Sequence, residues 1–167
     1  MKFIKYCFLI ITFCACTSCG VYSLTGASID PDVKTFTVHY IANQAQIVIP
    51  TLSQSFTEAL KNKLSTGTNL KMVESSGDLE FQGAITQYNI SPAAAVANET
   101  AALNRITISV SIEFINHKNE KQSWTSTFSR YADYSSSQDL ASVQVQLIDD
   151  INSQLVDDIF NKAVVNW

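Results

Sequence analysis

Asn104-Arg105-Ile106-Thr107-Ile108-Ser109-Val110-Ser111-Ile112-Glu113-Phe114 is the stretch that decides the fold. Its apolar side chains occupy every second position, and those between are mostly hydroxylic or charged. Successive side chains of a strand point to opposite faces. The alternation therefore predicts a strand with Ile106, Ile108, Val110, Ile112 and Phe114 on a buried face. Thr107, Ser109, Ser111 and Glu113 fall on a wet one. A sheet that is apolar on one side needs a second layer to cover it.

The segments on either side supply neighbours for this strand. Asp78 to Ile90 alternates in its first half, with Leu79, Phe81 and Ile85 on one face, and Gly83 allows a bulge or a close contact there. Downstream, His117-Lys118-Asn119-Glu120 is a polar turn that leads into a third strand, Gln122 to Tyr134. Three such segments joined in sequence suit an antiparallel meander with one face buried and one wet. Pro92 to Leu103 is longer than a tight hairpin requires; it reads either as a contact loop or as a simple surface loop.

The covering layer comes from two amphipathic stretches. Pro50 to Ser65 carries Leu52, Phe56, Ala59, Leu60 and Leu64 at spacings of three and four, with Ser53, Thr57, Lys61 and Lys63 facing outward and Gly67 as a stop. Ser136 to Lys162 carries Leu140, Val143, Leu147, Ile148, Ile151, Leu155, Ile159 and Phe160 in one stripe. Ser136 is its expected N-cap, with Asp139 completing a capping-box-like start. Phe36 to Ile41 reads as a first strand with Phe36, Val38 and Tyr40 on one face, and Leu70 to Val73 as a short edge strand. The order is β-α-β-β-β-α. It predicts an α+β two-layer sandwich with a mainly antiparallel or mixed sheet of four to five strands and both helices on one face.

The beginning of the chain is of a different kind. Lys2 and Lys5 precede an apolar run from Tyr6 to Cys16, and small residues surround Cys19, the pattern of a secretory signal peptide. A membrane-spanning helix would need about 20 apolar residues. Thr17-Ser18-Cys19-Gly20 resembles a lipobox, in which cleavage before the cysteine exposes it for acylation. Cys16 stands where leucine is usual and is the competing site; a plain secreted protein cleaved nearby is the simpler reading. All four cysteines, Cys7, Cys14, Cys16 and Cys19, lie in this segment, so the part after Cys19 can form no internal disulfide. The division is then a leader over 1–18, a lipidated N-terminus and tether over 19–34, and one domain over 35–167. Several acyl chains on Cys19 would hold firmly where a single one anchors marginally.

Composition excludes some functions. Without Lys2 and Lys5, nine basic side chains stand against 15 acidic ones, a net charge of −6. That balance argues against nucleic-acid binding and gives no general pull toward anionic lipid. The two histidines, His39 and His117, belong to no metal-ligand spacing, and no G-x-S-x-G is present, so neither metal nor catalysis is expected. The paired aspartates of the last helix read as a solvated face. Tyr88, Trp124 and Tyr131 could form a sugar-stacking platform, or simply belong to the core.

Several short motifs carry a family resemblance: Cys19-Gly20-Val21-Tyr22-Ser23, the Pro50-Thr51-Leu52 helix start, Gly77-Asp78-Leu79 with Phe81 and Gly83, Asn104-Arg105-Ile106-Thr107, and Ile159-Phe160-Asn161-Lys162 with Trp167. In these the chain resembles the LptE family of lipopolysaccharide-assembly lipoproteins, in its Bacteroidetes-type form, over essentially the whole length after Cys19. The resemblance implies a non-enzymatic protein, anchored in the outer membrane by acyl chains and facing the periplasm. It implies no further cofactor, and partnership with an LptD-type β-barrel and with lipopolysaccharide. A stand-alone glycan- or small-ligand-binding lipoprotein, or a pilot for another barrel, is the alternative. A phosphorylated lipid needs cations, and Arg105 and Arg130, with Lys118 or Lys121, are the candidates to meet lipid phosphates or acidic groups on the barrel. Ordinary surface pairing with Asp or Glu is the competing role for the arginines.

Overall fold

The computed structural model describes residues 29–93 and 102–165. The leader, Cys16, Cys19, most of the Pro92 to Leu103 connection and Trp167 lie outside the described residues. The elements are β1 (Thr35–Val38), β2 (Ala42–Asn43), α1 (Leu52–Gly67), β3 (Lys71–Met72), β4 (Leu79–Pro92), β5 (Leu103–Asn116), β6 (Trp124–Ser135) and α2 (Leu140–Phe160). A 3-10 turn (Glu120–Gln122) precedes β6, and a π-helical turn (Asn161–Val165) follows α2. The strands form one mixed sheet in the order β3-β1-β4-β5-β6, with β2 also beside β4. β1 pairs in parallel with β3 and β4, while β4, β5 and β6 form the antiparallel meander expected from their alternation. The architecture is the α+β sandwich that the sequence predicts.

On the helix side of β5, Ile106, Ile108, Val110 and Ile112 are fully buried and Phe114 is 1% exposed. They meet Leu79, Phe81 and Ile85 from β4, Leu52, Phe56, Leu60 and Leu64 from α1, and Ile151, Leu155 and Ile159 from α2 in one core. Burying one such side chain contributes about 1.5–3 kcal/mol relative to exposure. Phe81 and Phe114 are 5.0 Å apart at their ring centres, and Phe114 and Trp124 5.3 Å, which extends the core toward the β6 edge. Gly67, at the end of α1, admits the Phe160 ring: a Cβ there would stand 2.7 Å from two ring atoms.

Four expectations are corrected. Tyr40 does not share the face of Phe36 and Val38; it is 63% exposed, and Ile41 is buried instead. The first strand breaks between Val38 and Ala42, and the break shifts the alternation by one residue. Ser53 and Thr57 do not face outward but are buried. The Thr57 hydroxyl accepts the Ile41 N–H at 3.1 Å and donates to the Ser53 carbonyl at 2.7 Å, so it satisfies a backbone donor that the break has removed from the ladder. Ser109, expected on the wet face, is buried beneath Ser129 and Gln87, to which its hydroxyl is bonded. The capping box at Ser136 does not form. The Ser136 N–H is still held by the Ala102 carbonyl at 2.9 Å as an extension of the β5–β6 ladder, so α2 starts only after Asp139, which makes no side-chain cap.

Candidate functional site

With both helices on one side of the sheet, the opposite face is where polar side chains collect. Residues of β4, β5 and β6 in register there include Gln82 beside Glu113, Ala84 beside Ser111, and Arg105 beside Asp133. Two carboxylates on the β4 side organise its lower end. Asp78, just before β4, accepts the backbone N–H groups of Lys34 at 2.8 Å and Thr35 at 3.0 Å, the Thr35 hydroxyl at 2.9 Å, and the Lys118 ammonium at 3.0 Å. The Lys34 amide, then the Lys118 ammonium, hold its carboxyl far below the usual carboxylate range. Glu80, two residues on, lies between both histidines: one oxygen meets His39 and the other meets His117 Nε2 at 2.8 Å. Hydrogen bonds from His117 and then His39 lower the Glu80 pKa, against the opposing effect of burial.

Neither histidine pairs with a nucleophile, and the arrangement ties three chain segments together: the end of β1, the start of β4 and the β5–β6 turn. Sequence spacing separated these residues too widely to suggest it. The usable signal was the register, since Glu80 faces Ile115 and His117 follows two residues later on the same face. Among the described residues, no group of three or more His, Cys, Asp or Glu side chains could hold a metal ion. Among them, too, no helix is long and apolar enough to cross a membrane.

The candidate cations do not converge. Arg105 lies on the open face, bonded twice to Asp133 at 2.7 and 2.8 Å and stacked 3.6 Å over the Tyr131 ring. Its presence lowers the Asp133 pKa. Arg130 lies on the helix side, bonded twice to Asp158 of α2, both at 2.6 Å. Lys118 is engaged by Asp78 in the β5–β6 turn, and Lys121 in the same turn is exposed. Nearly the whole length of β5 separates Arg105 from that turn, about 35 Å at the usual rise per residue. Both arginines are therefore spent on fork-to-fork pairs with neighbouring carboxylates, the geometry of charge-assisted pairing within the chain. The aromatic platform does not assemble either. Tyr88 is buried on the helix side, where Gln144 donates to its hydroxyl at 2.8 Å and burial raises its pKa. Trp124 packs with Phe114 and Phe128, whereas Tyr131 stands on the opposite face.

Comparison with solved structures places the fold in company. A homologue of a putative neuraminyllactose-binding hemagglutinin from Helicobacter pylori is similar at 10% identity and TM-score 0.52, over 84% of this chain and 88% of its own. The hypothetical protein CT253 from Chlamydia trachomatis is similar at 10% identity and TM-score 0.51, over 78% and 95%. The rare lipoprotein B from Shewanella oneidensis is similar at 14% identity and TM-score 0.50, over 77% and 92%. At such identities the likeness is one of fold alone. A search of curated proteins returns no match. The family model described as LptE, lipopolysaccharide-assembly, matches residues 33–163, which takes in every strand and helix described above. By that match, the chain belongs to the LptE family.

Proposed function

We propose that this protein is an outer-membrane lipoprotein that assembles with an LptD-type β-barrel and helps place lipopolysaccharide in the outer leaflet. The observation that carries the reading is the family match across residues 33–163. The family is non-enzymatic. On the polar face, Asp78 and Glu80 are engaged by amides, imidazoles and an ammonium of the same chain and act as structural joins. The acyl chains on Cys19 hold the protein at the periplasmic face. From Cys19 to the first described residue, Ile29, the tether reaches at most about 35 Å when extended. A domain on so short a tether gains effective concentration beside a membrane-embedded partner without needing a large affinity of its own.

The test is to purify the tagged full-length protein in mild detergent and identify what accompanies it, with mass spectrometry of its processed N-terminus alongside. A triacylated Cys19 and a co-purifying LptD-type barrel are expected. An unmodified first residue, or recovery of the protein alone together with normal envelope assembly in cells from which its gene is deleted, would overturn the reading.

A further inference from the structure

Next to the His39–Glu80 pair, with His39 on its rim, the open sheet face carries a shallow groove of about 630 Å³ across β4, β5 and β6 and beside the break between β1 and β2. Three irregularities meet there. The break turns Tyr40 out to 63% exposure on one wall. Gly83 leaves bare backbone on the floor, where a Cβ would stand 2.0 Å from the Ser111 carbonyl oxygen. Between Ile85 and Gln87 the β4–β5 register shifts, which makes a bulge at Thr86. Bulges and interior glycines recur where a strand is re-aimed or closely approached. Around this floor stand Gln44, Gln82, Ser111, Glu113 and Thr125. Gln82 donates to Glu113 at 2.8 Å, which fixes both side chains and leaves each an oxygen to spare. The side chains of Tyr40, Gln44, Ser111 and Thr125 make no hydrogen bond among the described residues.

An exposed aromatic ring beside amide, hydroxyl and carboxylate groups has the chemistry of a saccharide subsite. The apolar C–H face of a pyranose lies on the ring, and its hydroxyls exchange hydrogen bonds with the planar side chains. Among the described residues no Lys or Arg lines the groove, the one imidazole on it, His39, has its Nε2 engaged by Glu80, and Glu113 adds a carboxylate, so phosphate and acidic sugars are disfavoured. A peptide strand finds no free ladder, because β4 is paired with β2 on one side and β5 on the other at this level. We propose that the groove binds an uncharged pyranose of an envelope glycan, with the sugar ring against Tyr40. The site stands on this geometry whether or not a barrel partners the chain.

Saturation-transfer NMR on the full lipidated protein in a sugar-free detergent tests it, with two probes: phosphate-free oligosaccharide released from the cell's own surface glycan, and intact lipopolysaccharide. The released sugar is expected to receive saturation at its ring protons. Tyr40→Ala should weaken its binding about tenfold, equivalent to about 1.4 kcal/mol, while Tyr40→Phe keeps it. Thr125→Lys, which intrudes from the far wall, should abolish it with an unchanged melting curve. The proposal is overturned by the absence of transfer to the released sugar, by transfer that Tyr40→Ala leaves intact, or by binding confined to the intact glycolipid, which would mean that lipid or phosphate is what the protein reads. A missing barrel partner would leave all three outcomes as they are.

Discussion

The two faces of the sheet are built on opposite principles. On the helix side, residues from β1, β4, β5 and both helices are buried almost without exception, and specificity comes from close packing. On the open side, order comes from discrete polar joins: the Asp78 knot, the Glu80 clamp, and the Arg105–Asp133 pair over Tyr131. Apolar packing is dense and cooperative, so it tolerates no vacancy. Polar joins on a wetted face are local, and each can be removed with less damage. The difference teaches where change is tolerated, and hence where a binding surface can be kept.

The sharpest way to break the contrast is a core truncation. Phe81→Ala should cost about 3–5 kcal/mol, read as a lower midpoint in urea unfolding; a loss near zero would mean that the core closes without that ring. Asp78→Asn comes next, on the order of 2 kcal/mol, because it weakens several hydrogen bonds to a charged acceptor and leaves the Lys34 and Thr35 amides poorly paired. Retained stability in that variant would show that the knot is decorative.

Acid should act through the same carboxylates. Asp78, Glu80 and Asp133 have folded pKa values below their ordinary ones, so each contributes stability at neutral pH. That contribution is present above the unfolded values, near 4, and is lost as pH falls through the folded ones. Urea midpoints should therefore decline from about pH 5 downward, and an Asp78→Asn, Glu80→Gln double variant should decline less steeply. Equal slopes for the two proteins would assign the acid sensitivity elsewhere. The smallest effect belongs to Arg130→Ala, whose pair with Asp158 is exposed to solvent; its midpoint should barely move, and the residual shift should vanish in high salt.

Most of the fold was legible because period-2 and helical spacings report burial directly. β5, the α1 stripe and the α2 stripe were readable residue by residue. What misled the reading was local competition. Tyr40 looked inward because alternation was extended across a break that no Gly or Pro marks. Thr57 looked outward because a threonine on a helix gives no sign that its hydroxyl will be needed by the Ile41 amide. The candidate arginines were correctly singled out as scarce cations, but their carboxylate partners lie 28 residues away in each case.

Alone, the sequence determined which apolar residues of β5 and of the two helix stripes would face the core, since apolar periodicity is a property of the chain. It also determined that the part after Cys19 has no cysteine with which to staple itself. The tertiary structure alone decided which polar groups meet. A carboxylate is satisfied by whatever donors the strand register brings within about 3 Å. Glu80 joins His39 and His117, which are distant in sequence, only because β1 and the end of β5 lie on either side of β4. The same register, with its break and its bulge, left Tyr40 standing at the edge of an open groove.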